Sequence, residues 1–461
     1  MTTETSEITE TSETTETGRI PERLTADLST ADLSTADLHE ALEAPALSSM
    51  NLLNEIAGHY PQAVQFAAGR PGEEFFDLED VHAYLRAFTD HLARDRGMSP
   101  AEVRRTLYQY GRTKGIVHEL VARNLAVDEG IEADPESVVV TVGCQEAMYL
   151  VLRALRTGPE DVLLAVAPTY VGLTGAARLV DMPVLPVSGG ADGVDFDDLV
   201  AVARRARRDG LRPRACYVMP DFANPSGLSL THAMRRRLLD VAREEGLLLL
   251  EDNPYGLFHG GEERTPTLKA LDEHRTVVYL GSFAKTALPG ARVGYVVADQ
   301  RVADAAGRIG LLADQLSKIK SMLTVNTSPI AQAVVGGKLI AHGCSLVAAN
   351  VREHQAYSRN LRQVLDGLAA RFPAGAPGSA GVEWNAPTGG FFVVMTLPFP
   401  VDDALLEHSA REYGVLWTPM RHFYDGPGGE NQLRLAVSTV APEQIDLGLD
   451  RLKALITEWS K

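Results

Sequence analysis

The sequence predicts an α/β protein, with a mostly parallel sheet in a large domain and a smaller α+β domain at the C-terminal side. Three observations predict this fold class: a length of 461 residues, a hydrophobic content of 45%, and short apolar runs that alternate with amphipathic helical stretches. A chain of this length exceeds the size at which a single core usually divides, so we expect two domains. Strands that are apolar throughout are typical of a parallel sheet covered by helices on both faces.

The alternation begins near residue 80 with a helical stretch at 80–95. Apolar runs after it predict the strands of the large domain, at 137–143, 161–168, 215–220, 247–253, 276–282 and 293–298. Amphipathic segments between these runs predict the covering helices. We therefore expect residues 80–335 to form the large domain.

Beyond about residue 335 the pattern changes to a long helical stretch that ends near residue 372. It is followed by the strand-like segments GVEWNAPTGGFFVVMTLP, GVLWTPM and NQLRLAVST and by a final amphipathic helix. Strands gathered beside helices predict the smaller α+β domain, at residues 336–461.

The first 79 residues lack the alternating pattern. Residues 1–17 are acidic and rich in threonine, with no hydrophobic face to bury, and this predicts a disordered tail. Residues 18–79 are expected to form a linker and an N-terminal arm. They contain an imperfect five-residue repeat at 25–39, whose period matches neither a helix nor a strand.

Charge and cysteine content favour an enzyme that acts on small molecules. The 44 basic and 61 acidic residues give a net charge of −17, which argues against general binding to nucleic acid or anionic membranes. Cys144, Cys216 and Cys344 lie far apart, without the spacing of a disulfide framework or a metal site. The sequence lacks a secretory signal pattern and a membrane-spanning apolar run, so we expect a cytoplasmic protein without a metal.

Polar or small residues follow most of the predicted strands. In an open α/β sheet, ligands bind at the carboxyl ends of the strands. The residues concerned are Gly143, Gln145, Tyr170, Asn224, Asp252, Tyr255, Ser282 and Lys285, with Arg292 farther on. Each of them alone is most often a turn residue, a helix cap or a solvated charge. Together they fit one aromatic ligand that carries a phosphate.

Pyridoxal phosphate demands these residue types. Its aldehyde needs an amine whose pKa is lowered by apolar surroundings and neighbouring cations, and Lys285 is the candidate. Its ring nitrogen stays protonated beside a carboxylate, for which Asp252 is suited. Its phenolate oxygen needs the hydrogen-bond donors Tyr255 and Asn224, and its ring face suits Tyr170.

The N-terminus of one helix is not enough to balance the charge of the ligand's phosphate. A phosphate dianion exceeds the roughly half charge of a helix end, so the free N–H groups of a helix that starts near Gln145 need an added cation. Arg292 with Ser282 can supply the forked donor set. Gly143 permits the close backbone turn before that helix.

Motifs in a fixed order carry a resemblance to a known family, from about Gln65 to the C-terminus. They are VTVGCQEAM, PTY, DFANPSG, EDNPYG, GSFAKTALPGARVGY and LRLAVS. The chain resembles the fold-type I pyridoxal-phosphate enzymes of the class I/II aminotransferases. Within them it looks like the kynurenine/2-aminoadipate aminotransferase branch and is similar to the dihydroxyphenylglycine aminotransferases of antibiotic pathways.

The resemblance implies the fold of the pyridoxal-phosphate-dependent transferases and a role for each residue. Lys285 would bond to the cofactor and shuttle a proton, with Asp252 and Tyr255 as the other catalytic residues. Arg434 in LRLAVS would grip the substrate α-carboxylate through two parallel hydrogen bonds. Gly69 would lie near that carboxylate. The substrate-binding set is then Arg434, Gly69 and Asn224.

The resemblance also implies a homodimer, because Tyr110 would reach the phosphate bound by the partner subunit. Two residues depart from the family. Cys144 stands where relatives commonly carry serine, which removes a hydroxyl donor to the phosphate but leaves the backbone N–H groups. Met420 stands where relatives usually have a glycine, so we expect an altered geometry on the substrate side.

The resulting functional prediction is the transfer of an amino group between an amino acid and a 2-oxo acid, in specialised natural-product biosynthesis. The same cofactor also supports γ-elimination or replacement, or C–C bond formation, for example on S-adenosylmethionine. Aromatic residues form a substrate pocket or belong to the core: Phe75, Phe76, Phe391, Phe423 and Tyr424.

Two other classes of protein are disfavoured. The SFAK segment at 282–285 matches the Ser-x-x-Lys motif of penicillin-recognising enzymes, but their companion motifs are missing from the sequence. A transcription regulator with an aminotransferase-like domain would need a basic DNA-reading domain. Residues 1–17 carry no lysine or arginine, and the segment that precedes the resemblance is short for such a domain.

Overall fold

The structure is a computed structural model that describes residues 33, 35–190, 193–260, 264–376 and 379–460. The acidic tail at 1–17 and most of the five-residue repeat at 25–39 lie outside the described residues. The chain divides into one unit at 1–42 and a second at 43–461. The first unit contains a short 3₁₀ turn at Thr35–Asp37. The second unit contains the helices and strands that follow.

The helices are α1 (Pro45–His59), α2 (Leu78–Asp90), α3 (Pro100–Tyr108), α4 (His118–Glu129), α5 (Gly143–Leu155), α6 (Val171–Arg178), α7 (Phe196–Arg208), α8 (His232–Glu244), α9 (Leu268–Leu271), α10 (Leu312–Leu323), α11 (Pro329–Ala341), α12 (Leu346–Ala349), α13 (Val351–Arg371), α14 (Asp403–His408) and α15 (Pro442–Trp459). The strands are β1 (Val64–Gln65), β2 (Val138–Thr141), β3 (Asp161–Ala167), β4 (Val184–Ser188), β5 (Arg212–Val218), β6 (Leu248–Asp252), β7 (Val277–Ser282), β8 (Gly294–Val297), β9 (Arg301–Ala303), β10 (Ile309–Leu311), β11 (Glu383–Trp384), β12 (Phe392–Thr396), β13 (Val415–Leu416), β14 (Thr418–Pro419) and β15 (Gln432–Ala436).

The main sheet has seven strands in the order β2-β8-β7-β6-β5-β3-β4. Strands β4, β3, β5, β6 and β7 pair in parallel, whereas β8 is antiparallel to both of its neighbours. This confirms the predicted α/β fold with its mostly parallel sheet. The apolar pattern missed β4 because this edge strand contains Pro186 and is only partly buried.

The strands of the main sheet are buried on both faces. Leu163, Leu250 and Val278 belong to a core cluster on one face. Leu164 and Leu249, each one position along the chain, belong to a second cluster on the opposite face. Successive side chains of a strand point to opposite faces, so continuous apolar runs fill both cores.

A second sheet has the order β11-β12-β15-β14 and is antiparallel throughout. The helical stretch predicted at 335–372 consists of α11, α12 and α13, since the chain turns at Gly343 with a positive φ of 61°. The N-terminal arm contains α1 and β1, and β1 pairs with β13. The domain limits at residues 80, 335 and 336 stay predictions, and residue 335 lies within α11.

A buried ion pair fixes the loop that follows β5. Arg235 of α8 is fully buried and forms two hydrogen bonds with the carboxylate of Asp221. Its remaining N–H groups reach the carbonyl oxygens of Pro220, Leu230 and Pro266. A guanidinium whose donors are all used in this way holds both ends of the 220–230 loop.

We expect Arg235→Met to lower the free energy of unfolding by about 3–5 kcal/mol, because it leaves the carboxylate of Asp221 buried without its cation. Urea unfolding followed by circular dichroism measures the change. Arg237→Met on the exposed face of the same helix is the matched control and should change it by no more than about 0.5 kcal/mol. Equal stability of the two variants would contradict this account of the loop.

Candidate active site

Antiparallel strand β8 brings Arg292 to the carboxyl edge of the main sheet. Its first residue, Gly294, pairs with Thr141 at the end of β2 and with Ser282 at the end of β7. A side chain on Gly294 would collide with the backbone nitrogen of Cys144, and one on Gly143 would collide with the guanidinium of Arg292. The first turn of α5, Ser282 and Arg292 therefore meet at one edge of the sheet.

A cavity of about 260 Å³ lies at this edge. Eleven of the predicted residues line it: Gly69, Cys144, Gln145, Tyr170, Asn224, Asp252, Tyr255, Ser282, Lys285, Arg292 and Arg434. Gly143 lies directly behind the lining, in contact range of Arg292. Tyr110 does not line it, and its side chain is 83% exposed.

Lys285 is a half-buried amine between cations. Its Nζ donates a hydrogen bond to the carbonyl oxygen of Gly69 at 2.9 Å. Burial lowers the pKa of Lys285 to about 8, and the charges of Arg292, Arg434 and Arg70 act in the same direction. A substantial fraction of this amine is thus neutral near physiological pH and able to act as a nucleophile or a base.

Asp252 is a buried carboxylate at the end of β6. It accepts a hydrogen bond from the hydroxyl of Tyr217 at 2.6 Å, and the thiol of Cys144 lies 3.6 Å from its other oxygen. Burial raises the pKa of Asp252 to about 6, against the opposite effect of these hydrogen bonds and of Lys285. It is therefore mostly ionised at neutral pH, where it can pair with a cationic ring nitrogen.

Arg434 of β15 is a buried cation between two aromatic rings. Its guanidinium carbon lies 4.4 Å from the ring centre of Phe392 and 4.9 Å from that of Phe423. Nη1 donates to Asn224 Oδ1 at 2.6 Å and Nη2 to the carbonyl oxygen of Ala67 at 2.8 Å. Nε is buried and has no partner in the described part of the chain. A desolvated guanidinium without a carboxylate partner indicates a site for an anionic ligand.

The tyrosines predicted to surround the ring are both in the wall. Tyr170 precedes α6, and a side chain on Gly172 would collide with its ring. Gln145 donates from its side-chain amide to the carbonyl oxygen of Gly172, which ties the start of α5 to α6. Tyr255 is buried and lines the cavity together with Asn224.

The two departures from the family have different surroundings. Burial raises the pKa of the Cys144 thiol, so it stays protonated beside Asp252. Met420 is buried in an apolar cluster with Val171 and Phe423, against which Met50 of α1 packs. Met420 thus supports the cavity wall through Phe423 and does not itself line the cavity.

The aromatic residues considered for a substrate pocket separate into wall and core. Phe423 lines the cavity, whereas Phe391 is fully buried in the core of the main sheet. Phe75 packs edge-on against the ring of Tyr357, away from the lining. Phe76 and Tyr424 line two other cavities.

Two polar residues of the site were not among those predicted from the sequence. Tyr217 was hidden in the apolar run at 215–220, where its aromatic ring was the available signal. Arg70 lines the cavity beside Gly69, which the AAGRP segment had already indicated. In the described ranges, no cluster of His, Cys, Asp and Glu side chains has the geometry of a metal site. None of the helices described is long and apolar enough to cross a bilayer.

Comparisons with known proteins agree in one family. The sequence profile described as aminotransferase class I and II matches residues 78–452. The (S)-3,5-dihydroxyphenylglycine transaminase of Amycolatopsis orientalis is 61% identical over 419 residues, which cover 91% of this chain and 93% of that protein.

Two solved structures share the fold over most of their length. The α-aminoadipate aminotransferase of Thermus thermophilus, complexed with N-(5'-phosphopyridoxyl)-L-leucine, has a TM-score of 0.74 and 30% identity, and the match covers 92% of this chain and 99% of that one. The kynurenine aminotransferase of Pyrococcus horikoshii, in complex with PMP, has a TM-score of 0.75 and 26% identity, with coverages of 92% and 97%.

The lowered pKa of Lys285 predicts a pH dependence for its reaction with an aldehyde. The amine reacts only when neutral, so the rate at which added pyridoxal phosphate attaches should rise roughly tenfold per pH unit below pH 8 and level off above it. Borohydride trapping and peptide mass mapping of the cofactor-free protein measure this rate between pH 6 and 10.

Lys285→Arg keeps the positive charge without a nucleophilic amine and should carry no label at position 285. A rate that continues to rise up to pH 10 would mean that Lys285 titrates as an ordinary lysine.

Proposed function

This chain belongs to the class I and II aminotransferases, and from that premise we propose that its amino-acid substrate is an arylglycine, used in the biosynthesis of a natural product. The enzyme is a pyridoxal-phosphate-dependent transferase that moves an amino group between an amino acid and a 2-oxo acid. The observation that carries the proposal is the single cavity in which Lys285, Asp252, Arg292 and Arg434 meet. The 61% identity to the dihydroxyphenylglycine transaminase supports the arylglycine.

The residues of the cavity fit pyridoxal phosphate. The buried carboxylate of Asp252, the unpartnered Nε of Arg434 and the glycine cradle at Gly143 each match an anionic or cationic group of the cofactor or its substrate. When bound, pyridoxal phosphate acts as an electron sink that makes the Cα proton of an amino acid acidic.

The backbone N–H groups of Cys144 and Gln145 in the first turn of α5, with Ser282 and Arg292, would hold the phosphate. Asp252 would hold the proton on the ring nitrogen. Its own partners are the hydroxyl of Tyr217 and the thiol of Cys144, so it is oriented on both oxygens. The phenolate oxygen and the ring face would be contacted by Tyr255, Asn224 and Tyr170.

Two residues would act on the substrate itself. Arg434 would bind the α-carboxylate through Nε and Nη, and its position between Phe392 and Phe423 restricts the orientation of that carboxylate. Lys285 Nζ would accept the proton from Cα and deliver it to the cofactor carbon that carries the aldehyde, which suits an amine with a pKa near the working pH. Gly69 would lie beside the α-carboxylate and the amine of Lys285, since its carbonyl oxygen accepts a hydrogen bond from Lys285 Nζ.

An aromatic substrate side chain matches the apolar part of the wall. This part is formed by Met50, Met148, Val171 and Phe423. Thioether and aromatic groups contact a ring favourably, and methionine adapts to its shape. The burial of Met420 behind Phe423 and Val171 would stiffen this wall.

We further propose a homodimer in which Tyr110 contributes to the partner's site. Large apolar or aromatic side chains are exposed on and near α3 and α10: Tyr108, Tyr110, Met322, Leu323, Val325 and Ile330. Gly111 lies beside Asn326, which brings the two segments together. Exposed apolar patches of this kind mark surfaces for association. We also propose a cytoplasmic location, which the free state of the three cysteines supports.

The proposed substrate predicts a donor preference. With 2-oxoglutarate as acceptor, (S)-3,5-dihydroxyphenylglycine should give its 2-oxo acid and glutamate, and arylglycines should convert the bound cofactor to its pyridoxamine form faster than alanine or aspartate do. Rapid-mixing absorbance and chromatography of the oxo acid measure both. A preference for aspartate would contradict the arylglycine proposal. Turnover of S-adenosylmethionine without an oxo acid would contradict aminotransfer.

The shared active site predicts complementation between two inactive variants. In hybrids of Lys285→Ala and Tyr110→Ala, the subunit with Lys285 receives Tyr110 from its partner, so one site per hybrid is intact. With one intact site of two, purified hybrids should have about half of the wild-type activity, and a random mixture, in which half of the dimers are hybrid, roughly a quarter. Differently tagged subunits that are co-expressed and purified provide the test. Lack of recovery in purified hybrids would place Tyr110 outside the partner's site.

A further inference from the structure

The Ala67–Arg70 segment is fixed against the cavity by its backbone. Each of its carbonyl oxygens accepts a hydrogen bond from Lys285 or from the chain at and just after β15. The donors are Arg434 Nη2 to Ala67 at 2.8 Å, Thr439 Oγ1 to Ala68 at 3.4 Å, Lys285 Nζ to Gly69 at 2.9 Å and Ser438 Oγ to Arg70 at 2.6 Å. The backbone position of Arg70 is therefore set by two residues of the site, Lys285 and Arg434, and by the hydroxyls that follow β15.

The side chain of Arg70 contrasts with this fixed backbone. It lines the cavity, is exposed, and makes no hydrogen bond or ion pair with any residue in the described part of the chain. Arg434, by comparison, is 4% exposed and held by Asn224 and Thr418. The guanidinium of Arg70 thus offers its full set of donors to a ligand.

Among the arginines of the cavity wall, Arg70 is the one to which no anionic group has yet been assigned. The lining contains the cations Arg70, Lys285, Arg292 and Arg434 but only one carboxylate, Asp252. The phosphate would use Arg292 and the α-carboxylate would use Arg434. The charge of Arg70 reaches the reacting amine, since it contributes to the lowered pKa of Lys285. A second carboxylate on the substrate would complement this remaining cation.

We propose that Arg70 is the specificity residue for the side-chain carboxylate of a dicarboxylic substrate, 2-oxoglutarate in one direction and glutamate in the other. This inference rests on the proposed function. The planar fork of arginine matches a carboxylate through two parallel hydrogen bonds. The same planar group stacks on an aromatic ring, so Arg70 can stay in the wall when an arylglycine occupies the cavity. One cavity can in this way accept two chemically different side chains.

The test compares acceptors with and without the second carboxylate. In Arg70→Met, the kcat/KM for 2-oxoglutarate relative to that for pyruvate should fall roughly 10- to 100-fold, the effect of one charge-assisted pair. Arg70→Lys keeps the charge without the fork and should lose less. Arg237→Met on the exposed face of α8 is the matched control and should keep the wild-type ratio.

An equilibrium measurement supplies a second readout. Glutarate has both carboxylates but no oxo group, whereas butyrate has one carboxylate. Arg70→Met should weaken the binding of glutarate to the holoenzyme, measured by calorimetry, by a similar factor, and the binding of butyrate by much less.

Three results would overturn this role of Arg70. The first is an equal loss for 2-oxoglutarate and pyruvate. The second is a weaker affinity for pyridoxal phosphate that explains the whole loss, and the third is a loss confined to hydroxylated arylglycine donors. A wild-type enzyme that transaminates but does not use 2-oxoglutarate would also refute the inference and leave the proposed function standing. If no amino acid converts the cofactor to its pyridoxamine form, the proposed function itself fails.

Discussion

The imbalance of charge in the cavity wall is the constraint on which the site depends. Three arginines and Lys285 face a single carboxylate; Arg434 is buried and Lys285 half-buried, whereas Arg70 and Arg292 are exposed. The buried cation in particular is costly until an anion joins it. The same repulsion, added to burial, lowers the pKa of Lys285 and keeps its amine reactive. A ligand with a phosphate and one or more carboxylates relieves the imbalance, and the chemistry of the site follows from that requirement.

The sheet assembles these charges from distant parts of the sequence. Parallel strands deliver the residues that follow β2, β3, β5, β6 and β7 to one edge, and antiparallel β8 adds Arg292 at its start. Arg235 holds the loop that carries Asn224, because it binds both ends of that loop from α8. The register of the sheet and the buried polar contacts behind the wall together fix where the functional groups lie.

Much of the fold and most of the wall could be predicted from local patterns. The buried strands are continuous apolar runs, and residues at their carboxyl ends must meet wherever a parallel sheet forms, as Asp252 and Ser282 do. Tyr217 and Arg70 were not predicted as site residues, because their places at the cavity depend on contacts between strands and segments that are far apart in the sequence. Strand β4 was not predicted because a proline and partial burial interrupt its apolar pattern.

In their proposed roles, Arg434 binds the group that all substrates share and Arg70 binds the group in which they differ. Every amino acid and 2-oxo acid brings the same carboxylate next to the reacting carbon, and Arg434, the proposed receptor for it, is buried, stacked and hydrogen-bonded as a rigid receptor requires. Side chains differ between the two substrates of a transamination. A cation whose backbone is anchored while its guanidinium stays free can pair with a carboxylate or lie against a ring. The held guanidinium of Arg434 and the free guanidinium of Arg70 thus suit the two proposed roles in a reaction with two unlike substrates.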